Sequence, residues 1–313
     1  HCMWATRLEM ADFAGTCQHV AAGLAVYEQG DFAAQADYFG GHDAKVCGYG
    51  AASFAYWHLG EVERALRSCQ DGLEWAERLG HAGSILHALD IAVTHRRCRR
   101  EPKAARRLAE RMIEFGSERG LNDHLAKGEL YLGWTLAAAG SVEDGIAMIE
   151  RALAAERASG TPEDFPIYSD LLAEMLVRAG RAAAALDEVE RGIAESEAGA
   201  RRIWLPELHR RRGEVLLALQ VPREREAEAS FGEALTLARN QGSRSLELRA
   251  ASSLARLWRR HGRQGAAREL LLAVYGCFRE GFDTADLREA RRELEALGAI
   301  DRTAPMALGD VLH

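Results

Sequence analysis

Residues 126–160 read AKGELYLGWTLAAAGSVEDGIAMIERALAAERASG. An apolar helical run ends at Ala139 and Gly140; Ser141 and Asp144 then open a second run that ends at Gly160. Apolar residues recurring at steps of three and four lie on one helical face. Glycine at a helix end supplies the left-handed residue that stops it at no steric cost. The stretch therefore predicts a helical hairpin.

The rest of the chain repeats it. Turns inside hairpins are expected at Gly30, Gly60, about Arg100, Gly140, Gly180, about Pro222 and Gly262; after a first interval of 30 the spacings are 40, 40, 40, 42 and 40. Turns between hairpins are expected at Gly80, Gly120, Gly160, Gly199, Gly242 and Gly281, with spacings of 40, 40, 39, 43 and 39. Two interleaved series with one period mark a repeat array. Small residues recur five positions after the inner turn (Ala65, Ala105, Gly145, Ala185, Ala227, Ala267), and seven before it stand Ser53, Gly133, Ala173 and Ala255. Fixed small positions let paired helices approach closely. Thr161 to Asp164 reads as a helix start, Ser141 to Asp144 as a looser capping box, and Asp283 or Thr284 as the start of a last helix closed by Gly298.

Composition agrees. Apolar residues make up 48% of the 313-residue chain, and 6 prolines with no alternating β-branched stretch leave all-α as the fold class. The net charge of −7 opposes nucleic acid and anionic membranes as partners. The 6 cysteines form no C-x-x-C pair and read as reduced thiols of a cytoplasmic protein. No apolar run approaches membrane-spanning length. Residue 1 is His, and the first helix is already under way there, which reads as a piece of a longer polypeptide.

The pattern resembles the tetratricopeptide repeat in a long form of about 40 residues instead of about 34. Three stretches, GGHDAKVC (40–47), ELHRRRGEVLLAL (207–219) and FREGFDTADLREA (278–290), are similar to the C-terminal repeat region of bacterial multidomain signalling proteins that carry a class III nucleotide cyclase and a STAND-type ATPase. The resemblance implies a right-handed superhelical solenoid of six to seven hairpins plus a capping helix. It also implies a non-catalytic interaction and sensing module that acts on attached ATPase or cyclase domains. The expected division is an incomplete first hairpin over 1–45, the solenoid over 46–298 and a loose tail over 299–313.

Catalytic patterns are absent from the sequence. None of the lysines (Lys45, Lys103, Lys127) follows a glycine, so no P-loop can form, and neither HExxH nor G-x-S-x-G occurs. His95 and Cys98 share a face but lack a second ligand pair, and His81 and His87 have no evident partners, so no metal or cofactor site is expected. The arginine clusters at 96–107, 210–212 and 256–268 read first as a solvated face paired with glutamates, second as a seat for an anionic partner.

In such a solenoid the first helix of each hairpin lines the concave face. Residues 13, 10, 6 and 3 before each inner turn share that side. The offsets select Phe54 and Trp57, with His58 beside them, then His87, Asp90 and Arg97, then Lys127 and Trp134, then Asp170 and Glu174, then His209 and Arg212, and finally Arg249, Arg256 and Arg259. This is a trough running from aromatic through acidic to arginine-rich, suited to fixing the direction of a peptide or protein segment. Trp57 and Trp134 read equally well as packing residues between repeats.

Overall fold

The computed structural model describes residues 2–30, 32–36, 41–121, 124–159, 165–199 and 201–300. The elements are α1 (Cys2–Glu9), α2 (Phe13–Tyr27), a single 3-10 turn (Ala33–Gln35), α3 (Ala44–Leu59), α4 (Val62–Leu79), α5 (Ala82–Cys98), α6 (Pro102–Arg119), α7 (Leu125–Ala138), α8 (Val142–Ser159), α9 (Phe165–Arg178), α10 (Ala182–Ala198), α11 (Leu205–Ala218), α12 (Glu224–Gln241), α13 (Arg244–Arg260), α14 (Gln264–Tyr275) and α15 (Ala285–Ala296). No strand occurs among the described residues. The described helices pair as seven hairpins, with α15 packed on α13 and α14 as the capping helix. None of the described helices is long and apolar enough to cross a membrane.

Within the array the odd-numbered helices touch their counterparts in the next hairpin: α3 with α5, α5 with α7, α7 with α9, α9 with α11 and α11 with α13. These form the inner layer of a right-handed superhelix, and the even-numbered helices form its outer layer. The close approach of α7 and α8 needs two glycines. A Cβ on Gly133 of α7 would lie 2.7 Å from the Gly145 carbonyl oxygen, and one on Gly145 of α8 would lie 2.5 Å from that of Gly133. Backbone meets backbone there, so no side chain can move aside.

Gly60, Gly140, Gly180 and Gly262 end inner helices with positive φ, as the period predicts. Arg100 takes the same left-handed conformation (φ 59°) without being glycine, at a cost of about 1–2 kcal/mol. Gly199 stays right-handed (φ −88°). Gly160 and the Thr161–Asp164 cap lie outside the described residues, as do residues 301–313 of the tail.

Two expectations fail. The first hairpin does not turn at Gly30. Its turn is at Ala11 (φ 61°), with Asp12 capping α2 through the Gly15 amide, and Gly30 sits in the irregular connection between α2 and α3. A count that follows glycines passes over an alanine in the left-handed region. The second failure is in the sixth hairpin, α11 with α12. There α11 ends at Ala218 and Leu219 is extended (ψ 154°), while the N-cap of α12 is Arg223. The extra two residues of the 42-residue interval therefore lie in the loop, not in the helix. The small position of α11 is accordingly Gly213, where a Cβ would meet the Phe231 ring at 2.4 Å.

The superhelix completes one turn within the chain. Helix α3 packs on α13, the Ser245 hydroxyl donates to the Trp57 carbonyl at 2.5 Å, and the Arg202 amide donates to the Glu9 carbonyl at 3.0 Å. Gly60 lies against Phe278, and Gly281 against Val62. The early hairpins thus close onto the last ones.

Candidate functional site

Closure brings the inner faces of α5, α9, α11, α13 and α15 around one polar cavity of about 90 Å³. Six arginines line it: Arg97, Arg100, Arg210, Arg211, Arg249 and Arg256. Against them stand Glu174, Glu207, Glu214, Asp286 and Glu289, with Asp170 buried behind. Arg97 donates to Asp170 at 2.6 Å and to Glu174 at 2.8 Å. Arg211 takes the other Asp170 oxygen at 2.7 Å and reaches Glu174 at 3.1 Å. Glu207 joins Arg210 (2.7 Å) to Arg249 (3.2 Å), and Arg249 continues to Asp286 (2.8 Å) and to the Cys98 carbonyl. Arg100 and Arg256 both bind Glu289. The network therefore joins residues up to 189 positions apart in the chain.

Its charge states are fixed by these contacts. Burial alone would raise the Glu174 carboxyl, but Arg97 and Arg211 outweigh it and hold the group at about 2. Glu289 is likewise held at about 2: its hydrogen bond from Arg100 overrides burial. Burial works against the Glu207 carboxylate too, and Arg210 and Arg249 still hold it far below the usual range.

The N-terminal side of the inner face is built from rings. His58 is fully buried, stacked on Phe13 at 4.2 Å and flanked by Trp57 and Trp204, and its Nδ1 lies 2.7 Å from the Ser243 hydroxyl. A Ser–His pair can be a nucleophile and base. Here both residues are at 0% exposure and His58 Nε2 has no hydrogen-bond partner to orient it, so the pair joins α3 to the start of α13. Burial, then Arg249, pushes the imidazole down to about 3, and burial does the same to His95.

The predicted lining residues divide accordingly. Arg97, Asp170, Glu174, Arg249 and Arg256 meet around the cavity. Trp134 is buried under the Arg97 guanidinium at 5.3 Å, and Trp57 under that of Arg249 at 5.1 Å. Phe54 packs edge-on to Trp204, Lys127 reaches Asp90 at 3.3 Å, and Arg259 pairs with Glu293 at 2.5 Å. Arg212 and His209 are corrections. Arg212 binds Glu190 and Ser230 on the outer helices, and His209 feels Glu233 and Glu197 there. Counting back from Pro222 carried the loop insertion into α11 and rotated the choice by two residues, about 200°. Removing the insertion selects Glu207, Arg210 and Glu214, three residues of the network. The 42-residue interval was the available signal.

Two further expectations change. The inner face is not an open graded trough, because its acidic and basic stretches neutralise one another across the closed turn. The arginine clusters are correspondingly neither wholly solvated nor left for an anion: Arg97 and Arg211 are buried in ion pairs with α9 and Arg210 in pairs with Glu207 and Glu214 of its own helix, while Arg106 with Glu110 keeps the expected i,i+4 surface pairing. His87 does have partners. Its ring stacks on His42 at 3.8 Å with Cys47 nearby, a grouping that sequence spacing of 5 and 40 residues conceals.

Fold and site together define an α-solenoid of tetratricopeptide type, closed on itself by an internal ion-pair network. Solved structures share this fold. A complex of Rap protein with competence and sporulation factor superposes with TM-score 0.64 over 95% of this chain and 86% of that one, at 11% identity. The Rap conjugation gene regulator of plasmid pLS20, in complex with the Phr* peptide, gives 0.61 over 96% and 75%, at 11% identity. The apo form of RapI gives 0.55 over 94% and 96%, at 10% identity. In sequence, an uncharacterised protein of Rhizobium meliloti (strain 1021), R02095, is 29% identical over 257 residues, which is 82% of this chain. The chain spans about a quarter of that relative's length. No family model matches.

Proposed function

We propose that the chain is a non-catalytic interaction and sensing module whose inner face takes a peptide or protein segment by exchanging its internal ion pairs for pairs with the ligand. The closed network carries this reading: it is charge-balanced, it joins the third hairpin to the last one and the capping helix, and each of its members can be satisfied by a ligand carboxylate or guanidinium. A cavity of about 90 Å³ is well below the roughly 300–1,000 Å³ of small-molecule sites. A segment would therefore bind by loosening the closed turn, and binding would be read out as a change of superhelix curvature. That Rap structures of the same fold were solved with Phr* peptide and with competence and sporulation factor supports the same class of ligand.

The working unit in this reading is the solenoid over 46–298, with 1–45 an irregular start and 299–313 a tail. It belongs to a longer cytoplasmic signalling polypeptide, in which curvature biases an attached ATPase or cyclase domain. That the match covers only 25% of the Rhizobium relative supports the larger parent. Sequencing the reading frame upstream of residue 1 separates this from a stand-alone scaffold or an ATPase-type transcription regulator.

The test is peptide selection on the immobilised chain, followed by anisotropy titration of the selected peptides. Trp134→Ala, Glu214→Gln and Arg256→Ala should each weaken binding at least about tenfold, a loss of about 1.4 kcal/mol, while Arg106→Ala on α6 leaves it unchanged. Affinities indifferent to all three inner variants would remove the inner face as the binding site, and nucleotide turnover by the isolated chain would remove the non-catalytic reading.

A further inference from the structure

Away from the ion-pair network, three potential metal ligands from separate segments converge beside the N-terminal hairpins. His42 lies just before α3, Cys47 on the first turn of α3, and His87 on α5. One ligand atom from each lies within 4.8 Å of the other two. The two imidazoles are stacked 13° from parallel, and His87 Nε2 is sealed from solvent with no hydrogen-bond partner. We propose that His42, Cys47 and His87 form a binding site for a zinc-class divalent cation.

The donor set suits this class of ion. Zinc takes imidazole nitrogen at about 2.0–2.1 Å and thiolate sulfur at about 2.3 Å, which sets ligand atoms roughly 3.3–3.7 Å apart in a tetrahedron. Closing from 4.8 Å needs a tilt of the stacked rings, a rotation about a soft terminal torsion. Two nitrogens and one sulfur leave the fourth position to water. On binding, the Cys47 S–H gives its proton to solvent and the sulfur–metal bond replaces it.

The surroundings fit as well. The Trp4 indole N–H donates to Cys47 Sγ at 3.4 Å, the kind of outer contact that orients a thiolate ligand. Asp43 places a buried carboxylate one turn before Cys47. Its oxygens already accept from the Lys45 and Val46 amides, Trp75 Nε1 and the Tyr27 hydroxyl, so it adds negative charge to the site without being a ligand. The ion would tie the connection before α3 to the first two full hairpins.

The test uses the full chain, stripped with chelator and titrated with Co²⁺ and then Zn²⁺. One equivalent of Co²⁺ should give a thiolate-to-cobalt charge-transfer band with tetrahedral d–d bands, bleached by Zn²⁺, and Zn²⁺ should raise Tm. Cys47→Ser should abolish the charge-transfer band, and His87→Gln should weaken Co²⁺ at least about tenfold, each variant keeping its helical circular dichroism. Cys2→Ser, at the exposed N-terminus, should change neither. No charge-transfer band in the parent chain would overturn the proposal. A band that survives Cys47→Ser, or one that is lost with Cys2→Ser, would overturn it too. Should Cys47→Ser fail to fold, His42→Gln and His87→Gln decide: full-strength Co²⁺ binding in both refutes the site.

Discussion

The two halves of the inner face are held shut by different physics. Toward the N-terminus, Phe13, Trp57, His58 and Trp204 form a seam of rings with polar contacts to Ser243 and Ser245. Toward the C-terminus, the seam is a lattice of guanidinium–carboxylate pairs in which Arg97 and Arg211 share Asp170. Rings close by removing apolar surface from water, which is non-directional. Ion pairs lose hydration on burial and recover it only while each charge keeps its partner. The first seam is tolerant of geometry and the second is not, so a ligand that offers substitute charges opens the second.

The largest effect on the ionic seam is expected at Arg97. Arg97→Ala leaves Asp170 with Arg211 and Glu174 with Arg211 and Arg178, and should cost about 3–5 kcal/mol in urea unfolding. A loss below about 1 kcal/mol would show the lattice to be solvated and loose. Next comes acid. A buried imidazole whose folded value is depressed gives stability that is complete above its unfolded value near 6.5. That stability is lost as pH falls toward about 3. His58 alone should therefore cost about 1.4 kcal/mol per pH unit below 6.5, with His95 acting in the same direction. Glu174 and Glu289 are depressed carboxylates, so their contribution is complete above 4.5 and lost as pH falls toward about 2. The ring seam should loosen first, seen as a pH 5–6 destabilisation that His58→Phe flattens, and the ionic seam only below pH 4.5.

A smaller effect tests packing common to both halves. Gly145→Ala puts a methyl against the Gly133 carbonyl and should cost about 1–3 kcal/mol. The smallest net change is expected at Arg100, where local and tertiary terms oppose. Arg100→Gly relieves the left-handed backbone, worth about 1–2 kcal/mol, and deletes the pairs with Asp286 and Glu289, together worth a similar amount or less. Tm should move little while small-angle scattering shows a more open chain. An unchanged radius of gyration would mean that the Arg100 contact plays no part in closure.

The hairpins were legible because their signals are local. Helix periodicity and left-handed turn residues act within a few positions, so α3 to α15 follow the forty-residue count, and the inner choice at Asp170, Glu174, Arg249 and Arg256 follows with it. The count failed where a local signal was missing or misplaced: at Ala11, which turns without glycine, and at the loop after Ala218, which absorbed two residues and hid Glu207, Arg210 and Glu214 behind Arg212 and His209.

The sequence by itself determined an all-α array of paired helices, their order and most of their inward faces, since each is settled by neighbours within one repeat. Only the tertiary structure decided that the array closes, that Arg100 meets Glu289, that His58 meets Ser243 and that His42, Cys47 and His87 converge. Closure is the sum of small rotations from one hairpin to the next, and no single repeat carries enough of that sum to reveal which distant residues will come into contact.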